Sequence, residues 1–190
     1  KNGQVYLESY NLFYRNNTSF LGNSFANPFN VSRVNGLGIL YPVATVRGSL
    51  VFGIGFNRIH HYDDLMSFSG YSNYNNGMEF PINTDGQLLY YGFNKDVERY
   101  EKIMSNGARD LLTISFGIAL SPNLAGGISV SKMKGLENYD FEFLQKDIAD
   151  NYQQFPADFQ SYEVFKSLKT KTEAWKLRGG VKYIYSPFQF

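Results

Sequence analysis

Between Arg47 and Ile59 the chain alternates with period two. Leu50, Phe52, Ile54 and Phe56 take one face, and Val51, Gly53, Gly55 and Asn57 take the other. Alternation of this kind marks a strand with unlike surroundings on its two sides. One face is large and apolar, and the other is mostly tiny. A soluble strand that buries one face usually shows charge or hydroxyls on the outside. Apolar groups outside and small residues inside suit a strand that crosses a membrane as part of a barrel.

The pattern recurs. In Leu111–Ser121, Leu112, Ile114, Phe116, Ile118 and Leu120 oppose Thr113, Ser115, Gly117, Ala119 and Ser121. Leu124–Met133 follows after Pro122-Asn123, with alternation continuing toward Tyr139, Phe141 and Phe143. Glu173–Tyr185 sets Trp175, Leu177, Val181, Tyr183 and Tyr185 against Lys176, Arg178, Gly180 and Lys182. Val5–Arg15 and Asn35–Val43 complete six predicted strands. The segments 16–34, 60–110 and 145–172 are polar and turn-rich and are predicted as long loops. Within the longest, Leu88–Ser105 reads as a short helix opened by Asp96 and closed by Gly107.

Short turns, near Pro42–Val46 and Pro122, thus alternate with long excursions. That layout predicts an all-β fold, an antiparallel transmembrane β-barrel of the outer-membrane type. Spans of about 9–12 residues match the length of a tilted strand crossing a bilayer. Six strands do not close such a barrel, and an open edge is forbidden in lipid. The 190 residues are therefore expected to form one region of a larger barrel. Phe188-Gln189-Phe190 follows Ser186-Pro187 where a new strand would begin, so further sequence is expected.

Composition agrees. Aromatic residues make up 17%, with 15 Tyr and 17 Phe, which suits interfacial girdles. Trp175, Tyr183, Tyr185 and Tyr41 fall near strand ends on the apolar side. The 18 basic and 17 acidic residues nearly cancel, so nothing points to nucleic acid. There is no Cys, hence no disulfide or thiolate site. No apolar run is long enough for a transmembrane helix.

Ser19-Phe20-Leu21-Gly22-Asn23, Asn35-Gly36-Leu37-Gly38, Leu40-Tyr41-Pro42-Val43 and Arg47-Gly48-Ser49-Leu50-Val51-Phe52 resemble the FadL/TodX-type outer-membrane transport proteins, particularly their Bacteroidetes-like relatives. The hairpin pairs within Ser115–Gly127 and Leu177–Tyr185 are similar to that family's as well. The resemblance covers most of the strands. It implies a barrel of about fourteen strands, within the range of such barrels, with an N-terminal hatch in the lumen. It also implies passage of hydrophobic compounds of fatty-acid or aromatic type. The chain departs from the family in lacking an Asn-Pro-Ala-Gly hatch segment before Lys1 and strands after Phe190. Some relatives partner secretion machinery instead of moving cargo.

The expected role is passive uptake of hydrophobic small molecules through an outer-membrane barrel, with outer-membrane lipid and the cargo as partners. The alternative is a structural barrel that binds other envelope proteins. A soluble, carbohydrate-binding sandwich is a third reading. Lys176, Arg178 and Lys182 form a cationic row on the small-residue face. With Ser115, Ser129 and Asn57 they are candidates for holding an acidic ligand in the lumen; the bland reading is a salt-bridge network. Tyr71, Tyr74, Tyr90, Tyr91 and Phe93 are candidate loop contacts, against simple loop packing. His60-His61-Tyr62-Asp63-Asp64 holds metal-ligating residue types, but neighbouring strand residues point to opposite faces, which favours a solvated loop start. The sequons at Asn16, Asn17 and Asn30 read as chance triplets. No nucleophile elbow or phosphate loop appears, so neither enzyme activity nor a cofactor is expected.

Overall fold

Two residues with positive φ, Leu21 at 48° and Gly22 at 81°, turn the chain back on itself early. Successive positive φ values make the two-residue turn whose twist suits a hairpin. In a computed structural model, which describes residues 2–46 and 48–185, this turn joins β1 (Gln4–Phe20) to β2 (Asn23–Val43). The remaining strands are β3 (Ser49–His61), β4 (Asp64–Ser72), β5 (Glu79–Thr84), β6 (Gln87–Gly92), β7 (Val97–Ser121), β8 (Leu124–Lys146) and β9 (Ser161–Tyr183). All pairings are antiparallel, and the described residues include no helix.

The main sheet runs β1-β2-β3-β7-β8-β9, with β4 also on β7. β3 pairs with Ala108–Ala119 of β7, and β4 pairs with Val97–Ser105. β3 and β4 are thus two halves of one long strand, broken at Tyr62-Asp63 just after a register shift at Ile59. The result is a meander of six long strands, with β5–β6 as a separate hairpin. Among the described residues β1 and β9 do not pair, so the sheet they form is not closed.

The strands extend well past the expected spans. β7 has 25 residues and β8 and β9 have 23 each, about twice what a tilted membrane crossing needs. Each has a lower half near the short turns and an upper half beyond it. Three loop expectations are corrected accordingly. Segment 16–34 is the tip of the β1–β2 hairpin, where half-buried Asn16, Thr18 and Phe20 alternate with exposed Asn17 and Ser19. Segment 60–110 contains β4, β5, β6 and the upper half of β7. Of segment 145–172, only 147–160 lies outside strands.

The expected helix over Leu88–Ser105 is strand instead, in β6 and β7. Asp96 has φ 55°, as a turn residue rather than a helix opener, and Gly107 kinks a continuing strand at φ 130°. Pairing with β4 on one side and β8 on the other overrides the helix-forming residues between them. Arg47, the Ser186-Pro187 turn and Phe188–Phe190 lie outside the described residues.

The fully buried side chains gather at the upper end. Phe93, Val97, Ser72 and Gln145 are at most 1% exposed. The Phe93 ring meets Tyr152 at 4.8 Å and Phe159 at 5.5 Å, and Phe80 meets Phe159 and Tyr162. Gln145 Nε2 donates to the Phe93 carbonyl, and Gln145 Oε1 accepts from Asn76 at 3.1 Å. The β5–β6 region and the 147–160 loop together cap this end.

Candidate functional site

The lower half of the sheet brings its side chains into cross-strand rows. Leu7, Leu37, Phe56, Leu112, Lys132 and Trp175 are one row. Val5, Ile39, Ile54, Ile114, Val130 and Leu177 are the next. Below them run Tyr41, Phe52, Phe116, Ile128 and Gly179, then Val43, Leu50, Ile118, Gly126 and Val181. These side chains form a continuous apolar belt on one face. Ile114 is 50% exposed and Leu177 69%, and among the described residues no second sheet covers them. From Leu112 to Leu120 the belt measures roughly 26 Å along the strand, at ~3.3 Å per residue.

Aromatic side chains mark both borders. Trp175 stands in the top row, Tyr41 one row above the Val43 row, and Tyr183 and Tyr185 at the bottom, all exposed. Lys132 Nζ lies 5.5 Å from the Trp175 ring centre, so a cation reaches the upper border. One row higher, on the same face, Arg58, Asp110, Lys134 and Glu173 stand in register. Arg58 Nε donates to Asp110 Oδ1 at 2.8 Å. This charged row was not foreseen. Its members come from four strands, and only the register reveals that they adjoin.

The opposite face carries small residues. Tyr6, Gly38, Gly55, Thr113, Ser131 and Lys176 form one row. The Tyr6 ring lies over Gly38, where any side chain would overlap it. Tyr6 OH donates to Asn57 Oδ1 at 3.1 Å. Thr113 and Ser131 share a hydroxyl hydrogen bond of 2.8 Å.

The candidate lumen residues share this face. Ser115, Ser129 and Arg178 are register partners and border a shallow groove of about 380 Å3 with Gly127 and Gly180. Lys176 and Lys182 lie on either side of Arg178 along β9, Lys182 opposite Ala125. Asn57 is two rows from Ser115, opposite Leu111, and is occupied by Tyr6. The structure therefore brings Ser115, Ser129 and Arg178 together and sets Asn57 apart.

The candidate loop contacts divide. Tyr71, Tyr74 and Tyr90 are exposed, Tyr91 is half-buried, and Tyr71 OH lies 3.5 Å from Asp96 Oδ1. Phe93 is corrected: it is wholly buried in the cap, so it is unable to touch a partner. His60 and His61 end β3 instead of starting a loop. His60 packs edge-on against Tyr62 at 4.7 Å, and His61 lies 6.1 Å from Tyr10. Among the described residues no three His, Asp or Glu side chains converge as metal ligands.

Two carboxylates above the belt, Glu101 in β7 and Asp147 in the 147–160 loop, depart from ordinary acidity. Burial pushes Glu101 up, against the smaller opposing pull of Arg99. Asp147 is pushed up by desolvation, but backbone N–H groups of Tyr152, Asn151, Ala149 and Asp150 together outweigh this and hold it down.

Comparison with protein-family models, with curated proteins and with solved structures finds no match to this chain.

Proposed function

We propose that the six long strands are part of the wall of an outer-membrane β-barrel, and that the barrel serves passive uptake of hydrophobic small molecules. The observation that carries this reading is the apolar belt. It crosses all six strands in register, stands exposed, and is bordered by aromatics above and below. In water such a surface would drive aggregation, whereas in lipid it needs no cover. The short connections between β2 and β3 and between β7 and β8 face the periplasm in this arrangement, and the cap faces outward. The free edges of β1 and β9 must be paired in lipid. Further strands, from the same polypeptide or from other copies, complete the barrel.

The small-residue face then lines the lumen. Gly, Ser and Ala leave room beside the wall, and Arg178 with Lys176 and Lys182 supplies charge for an acidic headgroup. The exposed Tyr71, Tyr74 and Tyr90 on the cap favour a second reading, a scaffold that binds envelope proteins. Two measurements separate these. Circular dichroism with a melt in buffer and in micelles tests the membrane reading: a cooperative β fold in plain buffer sinks it. Uptake of a fluorescent long-chain fatty acid into proteoliposomes tests transport. Rates equal to empty vesicles, with β structure intact, leave the scaffold.

A further inference from the structure

Directly above the belt, on its face, lies a cleft of about 490 Å3. Its lining includes Arg58, Asp110, Lys134, Leu136, Lys171 and Glu173. Lys171 and Leu136 are register partners one row above Lys134 and Glu173. Asp110 is engaged by Arg58 at 2.8 Å, and Glu173 lies 3.9 Å from Lys132. Among the described residues Lys134 and Lys171 form no ion pair within 4 Å. Two ammonium groups thus stand without a direct ion-pair partner over a floor of Ala108 and Leu136. Immediately below begin the exposed apolar rows of Leu112, Ile114, Val130 and Leu177.

We propose that this cleft binds the phosphate headgroup of an acylated lipid of the outer leaflet. Lys134 and Lys171 hold the phosphate, and the acyl chains lie down the belt. Lysine ammonium groups suit a phosphate monoester as point charges with several donors each. Continuity with the belt selects a lipid over free phosphate, since a cleft for a soluble anion has no use for an apolar surface at its lip. Cations at a membrane border also attract anionic headgroups across about a Debye length. The inference rests on the belt facing lipid.

The test uses the full chain in micelles, with phosphatidic acid, phosphatidylcholine and inorganic phosphate as probes and native mass spectrometry as the readout. Phosphatidic acid should bind in preference to phosphatidylcholine. The Lys134→Gln/Lys171→Gln pair should weaken it at least tenfold, about fivefold for each lysine. Lys95→Gln/Lys146→Gln, exposed at the cap end, should leave it unchanged. Each single variant is read if the double variant does not fold. Equal binding of both lipids overturns the headgroup site but leaves the belt lipid-facing. Displacement by millimolar inorganic phosphate shows a free-anion site instead. A chain that folds in buffer and binds neither lipid overturns the proposed function as well.

Discussion

Arg33 and Asp63 join two parts of the sheet that no backbone ladder connects. The β2–β3 ladder stops at Gly36 and Asn57. Above that point the β1–β2 hairpin meets β4 through side chains. Arg33 Nε and Nη2 donate to the two carboxylate oxygens of Asp63 at 2.9 and 2.5 Å. Asn16 Nδ2 donates to Asp64 Oδ1 at 2.6 Å, Asn27 exchanges hydrogen bonds with Ser67, and the Phe20 ring packs at a tilt against Phe68. The Asp63 side chain is 2% exposed, so its charge has almost no water to fall back on. Removing Arg33 leaves that charge alone. Arg33→Met should therefore destabilise the protein by about 3 kcal/mol, the usual range for breaking a buried pair. Urea unfolding in micelles checks this, with amide exchange expected to quicken first in β4 and upper β2.

Tyr6 and Gly38 are fitted to one another. Gly38→Val forces the ring aside and releases the Tyr6–Asn57 hydrogen bond, which should cost about 1–3 kcal/mol as overpacking. Tyr6→Ala removes the obstacle. In the double variant the Gly38→Val penalty should shrink by more than half, a coupling that a double-mutant cycle reads directly.

The two faces of β8 should answer differently to charge. Val130 lies at mid-belt, and Ser129 beside it points to the small-residue face. Val130→Arg should cost about 2–4 kcal/mol in a bilayer, and Ser129→Arg well under half of that. Equal costs, measured by unfolding in vesicles, would contradict the assignment of faces.

Acid should loosen the cap at Asp147. Its carboxyl titrates below the ordinary aspartate value, because backbone N–H groups hold the ionised form more strongly than desolvation opposes it. A depressed acid stabilises the fold above its unfolded value. That contribution is lost as pH falls through the folded value, below the ordinary 3.8. The amide resonances of Ala149 and Tyr152, which bond to Asp147, should shift together in that window. In Asp147→Asn they should not shift.

How far the sequence could be read depends on the element. The lower halves of β3, β7, β8 and β9 were legible because large apolar residues return at every second position, broken in the belt rows only at Gly126 and Lys132 in β8 and at Gly179 in β9. The upper halves were not. In the β1–β2 tip, Asn16 and Asn27 face β4 and are polar, so no apolar stripe announced a strand. In upper β7, Lys95–Lys102 carries helix-forming residues, and only pairing with β4 and β8 makes it extended. The shared row of Ser115, Ser129 and Arg178 follows from registers that no single strand encodes. The same holds for the charged row of Arg58, Asp110, Lys134 and Glu173. Phe93 looked like a loop aromatic because the residues that bury it come from 147–160, far along the chain.

The chain has one Trp, and Trp175 stands 71% exposed at the upper border of the belt. Its fluorescence reports the surroundings of the belt without any added label. The direct measurement is quenching in vesicles made from lipids brominated at defined acyl positions, compared with quenching by aqueous iodide. A lipid-facing belt predicts strong quenching by bromines near the glycerol end of the chains, weaker quenching by deep ones, and little effect of iodide. Strong iodide quenching with no response to any brominated lipid would contradict it.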